Sequence, residues 1–438
     1  MKVSVFGMGY VGVVSLACLA RDGNQVVGVD VNQDKLEMIG AGKSPIVEEG
    51  IQELVTQVVA SGRVSVTDSP SDAIAATELS FVCVGTPSAS NGSQDVSSIQ
   101  RVCEQIGAAV ADKSGYHTVV IRSTVMPGTT DEMIAPILTR HSSKKIGPEL
   151  GLCFQPEFLR EGSSIKDYDT PPFTVVGSAS QRAVELLREL FSGLPSPFIA
   201  TDVRTAEMLK YACNAFHALK ITFANEIGRL SQSLGVNSHE VMRLICEDRR
   251  LNIAPVYLRP GFSFGGSCLP KDLKALLYMG RRQDVETPML TGILPSNRVH
   301  LGHAIELVMR GGRRNVGMIG LSFKPGTDDL RESPLVDMAE YFIGKGLNLK
   351  IYDPEVNLSR LMGANRQYIE STIPHIASLM VDDHRKILQE SDVIVLGRKE
   401  PRVVKDLLSS TTNQQMVLDL VRLEQRAELQ AEYVGVCW

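Results

Sequence analysis

The stretch "VSVFGMGYVGVVSLACLA", residues 3–20, decides the fold of the first half of the chain. A β-branched run ends at Phe6, three glycines follow at Gly7, Gly9 and Gly12, and an Ala- and Leu-rich segment then reads as a helix. Strand, tight turn and helix in GxGxxG spacing form the turn on which an open parallel sheet holds a dinucleotide. Gly7 permits the turn, Gly9 lets the backbone approach a pyrophosphate, and Gly12 allows close packing. The helix N-terminus meets the phosphate charge. A packing turn without ligand is the bland alternative, but an acidic residue, Asp30, closes the next strand at the distance expected of a ribose acceptor. Asp30 favours NAD over NADP, whose 2′-phosphate it would repel, and the nearby Lys35 complicates that preference.

Working outward, "KVSVFG", "QVVGVDV", "ELSFVCVG", "HTVVIRST" and "FTVVG" are strand-like runs separated by helical text such as "SSIQRVCEQIGAAVADK". This alternation predicts parallel strands with crossover helices in a doubly wound sheet over residues 1–202. Thr86 and Thr124 fall at strand ends on the carboxyl edge, where such sheets bind ligand. Residues 203–300 are helical, beginning with an uninterrupted stretch that runs to a stop at Gly235. Alternation returns in residues 301–438 with "RNVGMIGLSF", "LNLKIYDP", "SDVIVLGR" and "QMVLDLV". The expectation is an α/β chain: two doubly wound, Rossmann-like domains joined by a central long-helix region.

The 438 residues carry a net charge of −5 and are 43% hydrophobic, which points to neither nucleic acid nor a membrane surface as partner. No apolar run approaches a membrane span, and no CxxC pair suggests a zinc site or a disulfide framework. Reduced thiols in a cytoplasm fit this usage.

A second stretch, "RPGFSFGGSCLPKDLKAL" (residues 259–276), isolates Cys268 just before a helix start marked by Pro270. A helix N-terminus and Lys271 both favour thiolate, whereas the other seven cysteines read as packed thiols. A nucleophilic thiol in a dinucleotide enzyme suits an aldehyde, captured as a thiohemiacetal and oxidised to a thioester. On the long helix, Lys210, Asn214, His217 and Asn225 share an arc of about 80°, either a solvated face or an oxyanion-stabilising stripe. "FQPEFLREGSSIKDYDTPP" places Glu157 and Glu161 four apart, on one face if helical. Lys324 and Arg331, in "LSFKPGTDDLRESP", are cations suited to a nucleotide's phosphates or simply to a surface loop.

Together, "FGMGYVG", "GTPS", "PEFLREGSSIKD", "EMLKYACNAFHALKITFANEIG", "GFSFGGSCLPKD" and "LSFKPGTDDLRESP" resemble the UDP-glucose/GDP-mannose dehydrogenase family across essentially the whole chain. "GKSPIVEEG", "KDYDTPPFTVVG", "GTDDLRESPLV" and the ending "VCW" point to the branch acting on GDP-mannose. The pair Val256-Tyr257 departs from that branch, where two tyrosines are expected. The resemblance implies NAD-dependent oxidation of a sugar C6 alcohol to the carboxylate, GDP-mannuronate for alginate-type polysaccharide, without metal. The same chemistry on UDP-glucose or a UDP-N-acetyl-hexosamine, or a non-catalytic NAD-binding scaffold, stays open.

It further implies a homodimer or dimer-based oligomer with sites shared between subunits. Cys268 falls on the nucleophile's position, Lys210 and Asn214 on oxyanion-stabilising positions, and Asp272 on the carboxylate assisting the cysteine or water. Glu157 falls on the thioester-hydrolysis position, and Thr124 on that of a group positioning water and cofactor. NAD contacts are implied for Tyr10, Val11, Asp30, Lys35, Thr86, Thr124, Lys271 and Arg331. Sugar-nucleotide contacts are implied for Glu161, Lys210, Asn214, His217, Asn225, Tyr257, Arg259, Phe262, Gly265 and Lys324.

Overall fold

The computed structural model describes residues 1–87, 94–160, 162–254, 261–266, 269–322, 330–356 and 363–437, without the side chains of Ile221, Lys271, Asp272, Ala275, Met279 and residues 363–366. The chain forms two compact units, Met1–Ala218 and Leu219–Trp438.

The first unit is built on eight strands: β1 (Lys2–Phe6), β2 (Gln25–Val29), β3 (Val64–Thr67), β4 (Leu79–Val82), β5 (His117–Ile121), β6 (Leu150–Phe154), β7 (Thr174–Gly177) and β8 (Phe198–Thr201). Their order is β3-β2-β1-β4-β5-β6-β7-β8, the first six in the arrangement of a dinucleotide-binding sheet. β4 and β5 are buried along their whole length, because helices cover both faces of a parallel sheet. The expectation of an entirely parallel sheet fails at one joint: β6 and β7 are antiparallel, with Phe154 opposite Gly177. Among the described residues the chain between them carries the short helix Ser164–Asp169 rather than a full crossover, so it re-enters the sheet at the end it left.

Parallel strands resume in the second unit as β9 (Asn315–Ile319), β10 (Asn348–Tyr352), β11 (Val393–Leu396), β12 (Met416–Asp419) and β13 (Glu432–Gly435), in the order β10-β9-β11-β12-β13. Its first turn repeats the device of the first unit. Gly7 N donates to Val29 O and Met8 N to Asp30 Oδ2; Gly320 N donates to Tyr352 O and Leu321 N to Asp353 Oδ2. Gly7 and Gly320 both adopt positive φ, +96° and +103°.

The helix predicted to run to Gly235 spans Val203–Ser233, and Gly235 stands just past it at φ +67°. Two of its buried carboxylates anchor other segments. Glu207 accepts from Gly128 N (2.6 Å) and Thr130 N (2.9 Å). Glu226 accepts from Met289 N (2.8 Å) and Leu290 N (3.0 Å), capping the helix Pro288–Met309. Each carboxylate satisfies donors that a helix start leaves without partners. Among the described residues, no helix is long and apolar enough to cross a membrane.

A polar network crosses the core of the first sheet. His117, fully buried on β5, lies between Ser80 Oγ (2.7 Å) and Lys113 Nζ (3.0 Å). An ammonium can only donate, so Nδ1 must accept and stay unprotonated. Burial, and then the Lys113 charge, push the imidazole down to about 3. Between the ordinary value of 6.5 and about 3 the unfolded chain therefore binds a proton the folded chain refuses, and stability falls as pH falls through that window. Wild type should lose stability at up to about 1.4 kcal/mol per pH unit from this group. His117→Gln should flatten the slope of urea-unfolding free energy between pH 6.5 and 4; an unchanged slope would refute the assignment.

Candidate active site

At the carboxyl end of the first sheet, each fingerprint glycine has a separate steric reason. A Cβ on Gly7 would lie 2.9 Å from a Val84 methyl and 3.0 Å from its backbone nitrogen. One on Gly12 would lie 1.8 Å from Gly7 O, so its close approach is to the turn itself more than to a strand. One on Gly9 would meet nothing within 4 Å; it would project into the open space where a diphosphate is expected. The helix Tyr10–Arg21 starts there with no side-chain cap, leaving its first amides for a ligand. Asp30 accepts from Met8 N (2.6 Å) and Asn32 N (2.9 Å), with Lys35 Nζ at 3.8 Å. Two such bonds leave a carboxylate with lone pairs for a ribose. These residues fit a dinucleotide. Val11 is half-buried in the first turn of the helix, while Thr86 Oγ1 donates to Thr124 O (3.0 Å), joining the ends of β4 and β5.

A cavity of about 470 Å³ opens beside the end of β6, lined by Glu157, Phe158, Lys210, Cys213, Asn214 and His217 among others. Its charged centre is the pair Lys210 Nζ–Glu157 Oε1 at 2.8 Å, with side chains 9% and 11% exposed. The same ammonium donates to Glu157 O (2.5 Å) and stands 5.4 Å from the Phe158 ring centroid. Three of the four predicted stripe residues thus line one cavity. Asn225 is exposed and does not line it.

The condition under which Glu157 and Glu161 would share a helical face is not met: residues 155–160 are irregular. Nearby carboxylates take the amides a helix would use, Leu159 N binding Glu157 Oε2 (2.7 Å) and Arg160 N binding Asp167 Oδ2 (2.9 Å). Glu161 itself lies outside the described residues, as do Tyr257, Arg259, Cys268 and Lys324.

In the second unit the helix predicted after Cys268 spans Leu269–Arg282, with Lys271 and Asp272 in its first turn. The chain leading to it is held by the helix Pro288–Met309. Asn297 accepts from Phe264 N (3.0 Å) and donates to Phe264 O (2.8 Å), Ser263 Oγ donates to Asn297 O (3.0 Å), and His300 Nε2 bonds Gly261 O (2.8 Å). Gly265 was expected to approach a ligand, yet its Cβ would lie 2.2 Å from Glu332 O, so the close neighbour on that side is the chain. Gly266 N donates to the same carbonyl (3.2 Å), and Glu332 holds φ +52°, a strained value for a residue with a side chain. Phe262 packs on the core of this unit, and Arg331 is half-buried in the turn before the helix Pro334–Gly344.

The packed reading holds for Cys18, Cys83, Cys103 and Cys153, whose thiols burial pushes up to about 12. It fails for Cys213, half-buried at the cavity, and for Cys246 and Cys437, which are exposed. Asn297, His300 and Glu332 went unnoticed because single polar residues on long helices and turns carry no spacing signature.

Three family models match in succession: the NAD binding domain of the UDP-glucose/GDP-mannose dehydrogenase family over residues 1–194, its central domain over 204–299, and its UDP binding domain over 317–425. The chain belongs to the UDP-glucose/GDP-mannose dehydrogenase family. It is 48% identical to the GDP-mannose 6-dehydrogenase of Pseudomonas aeruginosa over the full length of both chains. It is 36% identical to a UDP-glucose 6-dehydrogenase of Haloferax volcanii over 81% of this chain and 83% of that one. Among solved structures, a ternary complex of GDP-mannose dehydrogenase from Pseudomonas aeruginosa superposes with a TM-score of 0.95, covering all of both chains at 48% identity. A UDP-glucose dehydrogenase from Pyrobaculum islandicum gives 0.56 at 32% identity, covering 100% of this chain and 98% of that one.

Asn297→Ala removes both bonds to Phe264 and so loosens the stretch 261–264 that precedes the helix Leu269–Arg282. Turnover should fall at least about tenfold with NADH affinity within twofold of wild type, as measured by steady-state rates and fluorescence titration. Unchanged turnover would contradict a positioning role.

Proposed function

We propose that the chain oxidises the C6 alcohol of GDP-mannose to the carboxylate, GDP-mannuronate, in two successive oxidations. The observation that carries the substrate is the contrast between 48% identity over the full length with a GDP-mannose 6-dehydrogenase and 36% over 81% of the chain with a UDP-glucose enzyme. NAD bound at Gly7–Gly12 and Asp30 supplies a hydride acceptor for each oxidation. The chain's own groups do the rest. Lys210 and Asn214 steady negative charge on the C6 oxygen, which a preformed donor pair does at little reorganisation cost. Cys268 forms a C–S bond to the C6 aldehyde, and the second oxidation leaves a thioester. Water attacks that carbonyl, Glu157 takes its proton, and the thiolate leaves; Asp272 assists the cysteine or the water. Arg331 and Lys324 serve the phosphates, with Thr124, Thr86, Tyr10, Val11, Lys35 and Lys271 around the cofactor. Tyr257, Arg259, Phe262, His217, Asn225 and Glu161 serve the sugar nucleotide.

On this reading residues 1–202 bind NAD, 203–300 pair two copies, and 301–438 bind the nucleotide, the protein working as a cytoplasmic homodimer with shared sites. The helix Ser238–Glu247 has no buried residue, and Phe216, Leu219, Leu244 and Ile253 are 37–55% exposed, apolar surface that a second copy would cover. A UDP-sugar is the second reading, favoured by Val256 in place of a tyrosine and by the family's description of its third domain as UDP binding.

Purified enzyme offered GDP-mannose, UDP-glucose and UDP-N-acetyl-hexosamines should reduce NAD fastest with GDP-mannose; a preference for a UDP-sugar would replace the substrate. Cys268→Ser should abolish carboxylate formation while leaving NADH affinity unchanged, and undiminished turnover would remove the covalent mechanism.

A further inference from the structure

The motif "GKSPIVEEG" holds a carboxylate to which none of the chemistry above gives a task. Glu48 lies in the loop between the helices Gln33–Gly40 and Ile51–Ala60. Its Oε2 accepts from the Tyr10 hydroxyl and from Gly162 N (2.7 Å), and its Oε1 accepts from Ser164 N (2.8 Å). The Tyr10 hydroxyl also stands 3.4 Å from Arg160 O. One side chain therefore binds the first residue of the cofactor helix and, at the same time, the backbone of Gly162 and Ser164. Beside them Arg160 grips Asp167 through Nε (3.0 Å) and Nη2 (2.6 Å).

The loop that carries Glu48 does not need it to hold shape. Ile46 packs on the core, Ser44 N donates to Gln52 Oε1 (3.0 Å), and Gln52 Nε2 and Thr56 Oγ1 both bond Gly42 O. All four of these contacts are independent of the Glu48 side chain, whose carboxylate bonds reach across to other segments. Three donors, one of them a phenol, converge on the carboxylate and hold it below the ordinary range despite the cost of burial, while burial and Glu48 push the Tyr10 phenol up to about 12. The carboxylate stays ionised and the phenol stays a donor throughout the neutral range.

We propose that Glu48 is a positioning residue that couples the dinucleotide cradle to the substrate-side backbone at Gly162 and Ser164, so that the two subsites are set by one carboxylate. The proposal rests on the dehydrogenase reading of this unit. Its test uses the full-length enzyme, with NADH Kd from fluorescence titration, which needs no turnover, and KM for GDP-mannose. Glu48→Ala should raise both by about tenfold, the loss of a charge-assisted bond, with kcat changed less than about threefold. Tyr10→Phe should raise both by less, and the double variant should be no worse than Glu48→Ala alone, because both act through one contact. If Glu48→Ala does not fold, Glu48→Gln keeps the size and one acceptor oxygen and should shift both constants by about threefold. A purely structural Glu48 would lower Tm and leave both constants within twofold, which overturns the coupling; so does movement of only one constant, or additivity in the double variant. Wild type that binds NADH but turns over none of the sugar nucleotides removes the functional reading, and the proposal with it.

Discussion

The site of the first unit turns on one ion pair. Lys210 Nζ sits 2.8 Å from Glu157 Oε1 with both side chains about a tenth exposed. An ammonium and a carboxylate this withdrawn from water each carry a desolvation cost of several kcal/mol, which only the partner and added hydrogen bonds can offset. Here the added bond is the carbonyl of Glu157 itself, so the lysine fixes both the backbone and the side chain of the residue after β6. That double hold brings Asn214 and His217, one turn and two turns further along the helix, to the same cavity. A lysine fixed in this way offers its remaining proton to an oxygen in the cavity at no cost in reorientation.

The two sheets apply one turn geometry to different ends. Asp30 and Asp353 occupy equivalent places, each accepting from the amide just past a positive-φ glycine. Asp353 is then filled by the chain's own donors: Ser322 N at 3.0 Å, and Arg398 Nη1 at 3.1 Å, which leaves its side chain with no exposure. Among the described residues Asp30 takes two amides and a distant lysine, and its side chain is 10% exposed. The same fold therefore leaves a carboxylate able to accept further bonds in the first unit and uses its counterpart up as structure in the second.

Much of this was legible because glycine spacing and β-branched runs are local signals. "VSVFGMGYVG" specifies strand, turn and helix within a dozen residues, and the long helix lacks any breaker before Gly235. The strands that escaped have physical reasons. β3 and β8 are short, half-exposed outer strands, β6 carries a glycine in its apolar run, and β13 is a four-residue edge with no buried residue. Residues 155–160 misled because a spacing of four fits a helix, whereas Glu157 and Asp167 take the backbone donors for themselves. Glu48 and Asn297 were invisible for a related reason. Their partners lie 33 to 116 positions away, and no periodicity encodes such a contact.

The roles proposed for Cys268, Lys210 and Glu157 require that the aldehyde formed first is carried on to the acid. The stoichiometry of reduction measures that directly. With limiting GDP-mannose and excess NAD, the account predicts two NADH per sugar consumed, with GDP-mannuronate as the end product. One NADH per sugar, with the aldehyde released to solution, would contradict it.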